Sequence, residues 1–270
     1  YVVIGLKLYK ISKTKTVTLI GNLATTPGLV MMTENGFQVT ILTQNGISYY
    51  YNINTNVFGQ ITDPNYQLAS SVTTLDGYSI FSKLNSGQFF ISSIIDTTTY
   101  SALDFATAEA LSDNIVRIVT YNRHLYIFGT VSTEIWYDTG NANFPFERIS
   151  GSLMQMGLGA KYSTAVETSG IYFLASDGIV YFTKDYSLRR ISTFAIEEAI
   201  SSYKVKSDAT AFIYTQSGHQ FYCLTFPSVN KTWCYDLNTE LWHERGSLNA
   251  NQTEVKSWIV SQHAYFNNEN

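Results

Sequence analysis

Ser71-Val-Thr-Thr-Leu-Asp-Gly-Tyr-Ser-Ile-Phe81 reads as two short apolar strands around an Asp-Gly turn. β-Branched and aromatic residues suit a pleated, half-buried surface. Asp76-Gly77 is the dipeptide a two-residue hairpin needs, because both central positions of a type I′ turn take positive φ. The same phrase recurs along the chain, with turns at Asn35-Gly36, Asp76-Gly77, Asn122-Arg123, Ser169-Gly170, Ser217-Gly218 and Gln262-His263. This spacing is near the ~40–50 residues of a four-stranded propeller blade.

The strands that follow these turns share one character: Phe37-Gln-Val-Thr-Ile-Leu42, Tyr78-Ser-Ile-Phe81, Leu125-Tyr-Ile-Phe128, Ile171-Tyr-Phe-Leu174, Phe221-Tyr-Cys-Leu224 and Ala264-Tyr-Phe266. Aromatic third strands come next, at Ile47–Tyr51, Phe89–Ile91, Glu134–Tyr137, Ile179–Phe182 and Thr232–Tyr235. Shorter, more polar fourth strands follow at Phe58–Ile61, Phe146–Ile149, Leu188–Ile191 and Leu241–Arg245, as outer edges require. The second unit shows no fourth strand. The sequence therefore predicts an all-β, six-bladed β-propeller of four-stranded antiparallel blades.

The two ends complete each other in this reading. The last unit stops at Tyr265-Phe266, while Val2–Ile11 and Val17–Ile20 belong to no unit. Residues 1–21 are then expected to complete the blade begun at 256–266, pairing every internal edge within a single domain over 1–270. Two separate β domains, split near Pro64 or Pro145, are the alternative. One or two short inserted helices are expected, from two candidates: Asp104–Leu111, with Asp104 as N-cap, and Phe194–Tyr203, capped by Ser192 or Thr193. Glu197 and Glu198 fall in the early turns of the second, where the helix dipole favours negative charge. Such insertions project from one face, which makes Asp104, Glu109, Arg189, Glu197 and Glu198 candidate partner contacts.

Composition narrows the function. The 270 residues are 45% hydrophobic and 14% charged with a net charge of −4, and no basic run exceeds Arg189-Arg190. That argues against tight direct DNA binding. No apolar stretch is long enough to cross a bilayer, so the chain reads as soluble. The only cysteines, Cys223 and Cys234, flank a hairpin near Pro227–Asn230, where symmetrical pairing would set them opposite each other. A cross-strand disulfide is geometrically open to them, although a reduced, buried pair is the favoured reading.

No metal motif or cofactor signature is present, and His124, His219, His243 and His263 are expected in four different blades. Asp and Glu are scattered singly rather than paired as a glycosidase needs, and neither a nucleophile elbow nor a phosphate loop occurs. Asp138 and Asp236 end third strands and are expected to cap the next turn. Arg148 and Arg245 close fourth strands, where a guanidinium can stack on aromatics or pair with Glu. The chain is thus expected not to be an enzyme. A carbohydrate-binding or glycan-cleaving propeller is the alternative function.

Several phrases stand out in order: Leu103-Asp-Phe-Ala-Thr-Ala-Glu109, Ser132-Thr-Glu-Ile-Trp136, Phe144-Pro-Phe-Glu-Arg148, Arg190-Ile-Ser-Thr193, Gly218-His219 with Leu224-Thr-Phe-Pro227, and Trp242-His-Glu-Arg245. Together they resemble the packaged-DNA stabilisation family of short-tailed bacteriophages, from about Val2 to His263. The resemblance implies a virion tail protein, made in the host cytoplasm and assembled as a homo-oligomeric ring, a hexamer, beneath the portal adaptor. Such a hub or nozzle would close the DNA exit channel, retain packaged DNA, let it pass at ejection, and carry needle and tailspike proteins. It implies no catalytic residues, no cofactor and no membrane insertion, and a native chain extending beyond these residues. The acidic balance suits a channel through which DNA must slide.

Overall fold

The computed structural model describes residues 1–24 and 28–266. The chain divides into two compact units, Tyr1–Leu153 and Met154–Asn270. Six antiparallel sheets follow one another along it, the all-β succession of blades of a six-bladed propeller.

The first unit holds four sheets. β1 (Val2–Ile4), β2 (Lys7–Ile11) and β3 (Val17–Asn22) form the first, in the order β1-β2-β3. β4 (Met31–Glu34), β5 (Gln38–Leu42), β6 (Ser48–Asn52) and β7 (Phe58–Gln60) form the second. β8 (Ala69–Leu75), β9 (Tyr78–Lys83), β10 (Gln88–Ser93) and β11 (Asp96–Thr107) form the third. β12 (Ile115–Tyr121), β13 (His124–Gly129), β14 (Thr133–Asp138) and β15 (Phe146–Arg148) form the fourth.

In the second unit, β16 (Ala165–Glu167), β17 (Gly170–Leu174), β18 (Val180–Lys184) and β19 (Ser187–Arg190) form one sheet. Helix α1 (Phe194–Ser201) follows. β20 (Thr210–Gln216), β21 (His219–Phe226), β22 (Lys231–Asp236), β23 (Leu241–Leu248) and β24 (Val255–Ser257) form a five-stranded sheet.

Each complete blade is a meander in which the inner strands are buried on both faces. β5 and β17 are buried throughout, whereas the outer β7 and β19 are half-buried or exposed. In the first unit, one core gathers Leu8, Val39, Ile41, Tyr49 and Tyr51, and another gathers Ile80, Phe89, Ile118, Leu125, Ile127 and Trp136. In the second unit, Tyr172, Leu174, Ile200, Tyr222, Leu224 and Phe226 share a core, with Ile196 and Ile200 supplied by the inner face of α1.

Three of the expected turns are tight two-residue hairpins. Asp76-Gly77, Asn122-Arg123 and Ser217-Gly218 all carry positive φ at both centres and join directly paired strand ends. In the fourth, Glu167 pairs with Gly170, so the turn centres are Thr168-Ser169 and Gly170 opens the next strand. At Asn35 the side chain accepts the N–H groups of Phe37 and Gln38, and Gly36 takes the positive φ.

Three expectations about elements are corrected. Val2–Ile11 is not one strand, because Gly5 (φ 60°) turns the chain and sets Ile4 opposite Lys7. The segment Asp104–Leu111 is not a helix. Its first part belongs to β11, a fourth strand of the second repeat that its sequence does not show, with Phe105 opposite Phe90 and Ala106 opposite Phe89. Cross-strand aromatic pairing outweighs the helix preference of the alanines there. Gln262-His263 makes no hairpin, and Val255–Ser257 instead pairs with β23 as a fifth strand. The helix over 194–201 is present, with Thr193 at its N-cap position.

Candidate functional site

Three of the marked phrases meet between the third and fourth sheets. β10 and β11 are out of step: Phe90 faces Phe105 while Ser92 faces Tyr100, so residues 101–104 bulge out of the ladder. The bulge lifts Leu103 to 81% exposure and leaves Asp104 half-buried, where loss of solvent raises its carboxyl above the usual range. The projecting feature expected of Asp104 is therefore this bulge rather than a helix.

The chain then reaches Glu134, a carboxylate beside Ile135 and Trp136 and only 2% exposed. One of its oxygens accepts the Ala110 N–H at 2.7 Å and the other the Trp136 indole N–H at 2.9 Å. Such a buried acceptor is tolerable because both oxygens are bonded. Trp136 in turn meets Phe89 edge-on at 5.1 Å, and Phe89 contacts Phe144, which contacts Phe146. Ser132 directly precedes the same strand and is held by Asp113, which accepts the Val131 N–H at 2.8 Å and the Ser132 N–H at 3.1 Å. Two open cavities border this joint. One of about 630 Å³ is lined by Gly87, Thr107, Glu109, Asp113 and Asn114, and one of about 550 Å³ by Thr107, Glu109, Glu134, Trp136 and Arg148. Glu109 is exposed and lines both.

The remaining phrases form joints in the second unit. Arg190 donates through Nε to Glu197 at 2.6 Å and pairs with it again through a second nitrogen. Ser192 Oγ–H donates to the same carboxylate at 2.7 Å. The Arg190 bonds hold the Glu197 carboxyl below its usual range. The Trp242 indole donates to the Ile191 carbonyl at 2.8 Å. Arg189 pairs with Glu240 at 2.7 Å, tying β19 to the turn before β23. Of the expected contacts, Glu197 is therefore occupied internally, Arg189 is exposed but paired, and Glu198 is exposed on α1 beside Phe194, which is 79% exposed.

Asp138 and Asp236 cap their turns as expected, accepting the N–H groups of Gly140 at 2.8 Å and Asn238 at 2.9 Å. Asp236 also accepts from Thr239 and bonds His219 Nδ1 at 2.8 Å. Burial would raise its carboxyl, but these bonds hold it below the ordinary range. Arg245 lies over three rings, with its guanidinium 4.6 Å from Phe221, 5.1 Å from Trp258 and 5.2 Å from Tyr214. The expectation of four histidines in four blades is corrected here. His219 and His243 both lie on the five-stranded sheet and contact Phe221, and His263 packs on Tyr214. Among the described residues, no group of His, Cys, Asp and Glu is arranged to hold a metal ion.

Sequence reasoning singled out the phrase containing Glu134 without seeing its role. A lone carboxylate flanked by Thr133, Ile135 and Trp136 was the available signal. Cys223 and Cys234 stand directly opposite each other, as expected, and are free thiols.

Successive antiparallel blades, with their marked motifs engaged in strand-to-strand joints, define a β-propeller. A family model described as bacteriophage P22 Gp10, β-propeller, matches residues 1–268. The chain belongs to this phage packaged-DNA stabilisation family, a family of phage structural proteins. No curated protein matches it.

Proposed function

We propose that this protein is a tail hub of a short-tailed phage, a ring-forming nozzle beneath the portal adaptor that closes the DNA exit, keeps packaged DNA inside and lets it pass at ejection. The observation that carries this reading is the family match over residues 1–268. The joints support it: Glu134, Asp113, Glu197 and Asp236 are all engaged in holding strands and turns, as a load-carrying wall requires. The net charge of −4 supports passage of DNA without capture.

The partners in this reading are further copies of the chain in a hexameric ring, the portal adaptor, and the needle and tailspike proteins. The bulge at Leu103-Asp104, the exposed Glu109, and the Phe194-Glu198 face of α1 are its contact surfaces. Arg189 contributes charge at the edge of the second unit. In this proposal the chain is one propeller in which residues 1–21 complete the last blade. Purified full chain mixed with the portal–adaptor complex tests the assignment by sedimentation velocity. Co-sedimentation as a single ring-sized species is expected, and a chain that stays monomeric and leaves the complex unshifted would overturn it.

A further inference from the structure

The five-stranded sheet holds a second piece of chemistry. Cys223 on β21 and Cys234 on β22 are a directly opposed pair, both 0% exposed, with their sulfurs 2.8 Å apart. Opposed residues of an antiparallel ladder have Cα atoms about 4.5–5.5 Å apart, inside the ~4.4–6.8 Å a disulfide spans. Closing a bond between them therefore needs side-chain rotation and no movement of the strands.

Access is the controlling feature. Phe212 and Tyr214 pack with both cysteines, and Trp258 and Val260 lie over this cluster. Trp258 sits 5.9 Å from the Phe212 ring and 5.5 Å from the Tyr214 ring. Residues 258–265 carry no strand or helix, so this cover is a strap rather than part of the ladder. It is pinned by the Trp258 N–H on Thr232 Oγ1 at 3.0 Å, by the Ile259 N–H on Ser247 Oγ at 3.1 Å, and by the Arg245 guanidinium over Trp258.

We propose that Cys223 and Cys234 are a redox modification site, a latch that a small oxidised disulfide closes into a cross-strand bond when the 258–260 strap lifts. One thiol, as thiolate, attacks the reagent RSSR, giving a mixed disulfide and releasing RS⁻. The second thiolate then displaces the remaining RS⁻, so two thiols and one RSSR yield one protein disulfide and two RSH. The contact between the two thiols, together with burial, raises the Cys223 thiol far above the usual range, which keeps the closed site inert. Opening the strap restores both solvent and reactivity.

The test uses the full chain with glutathione disulfide, followed by alkylation and peptide mass spectrometry. The expected product is an intrachain peptide pair linking Cys223 to Cys234, with a higher Tm than the reduced protein. Trp258→Ala should accelerate closure by about tenfold or more, equivalent to ~1.4 kcal/mol less local opening free energy. Val260→Ala, a smaller change that keeps the aromatic cluster, should accelerate it to a lesser degree with an unchanged far-UV spectrum. Stable single glutathione adducts that never close, chain-to-chain dimers, or oxidation of a folded Val260→Ala variant at the wild-type rate would each overturn the proposal.

Discussion

Glu134→Ala is the sharpest single perturbation of the joint between the third and fourth sheets. The wild-type carboxylate is 2% exposed and satisfies two donors, the Ala110 N–H at 2.7 Å and the Trp136 indole at 2.9 Å. Alanine would leave both donors without their partner. A buried donor left unmade costs about 1–3 kcal/mol, so the expected loss is about 3 kcal/mol. For a unit of this size each kcal/mol shifts the melting temperature by about 2–4 °C, which places the variant about 6–12 °C below wild type. Glu134→Gln keeps one acceptor but turns an NH₂ group towards the other donor, and should fall between the two. Urea titration followed by tryptophan fluorescence reads the loss, because Trp136 is a direct partner. A Glu134→Ala variant within about 1 kcal/mol of wild type would refute the view that this carboxylate anchors the joint.

Gly170→Ala should destabilise markedly on thermal melting, since a Cβ there would lie 2.5 Å from both the Phe182 ring and the Thr183 carbonyl at φ +153°. The Asp236 carboxyl is held below its unfolded value, so its contribution is present above roughly pH 4 and is lost as pH falls through the lower folded value. Wild type and Asp236→Asn should therefore differ in stability at neutral pH and converge in acid, as urea midpoints across a pH series would show. Deleting Tyr1–Gly21 removes Leu8, which is 0% exposed in the core with Ile41, Tyr49 and Tyr51. That truncation should aggregate or lose its cooperative melt, and an unchanged Tm would contradict both the packing and the proposed completion of the last blade.

Much of the fold is legible in turn chemistry. Asp76-Gly77, Asn122-Arg123 and Ser217-Gly218 need positive φ at two successive positions, which few dipeptides tolerate, and all three sit where the sequence places them. Asp138 and Asp236 were equally readable, because their caps are made to residues two positions away. What escaped depends on distant partners. The run from Asp104 to Leu111 has helix-forming alanines, and only the neighbouring Phe89 and Phe90 on β10 draw its first part into a strand. Val255–Ser257 looks like the start of a new blade until Gly246, Ser247 and Leu248 extend β23 far enough to pair with it. The gathering of His219, His243 and His263 around Phe221 and Tyr214 was hidden for the same reason. His219 and His243 reach the same Phe221 ring only through sheet order, and His263 arrives on a strap with no periodic signature.

DNA retention by phage particles tests the central claim most directly. Particles that package DNA normally but lack this protein should lose that DNA on purification, and adding the purified full chain before release should keep it inside, measured as the nuclease-resistant fraction. Particles that hold their DNA equally well with and without the protein would contradict the account.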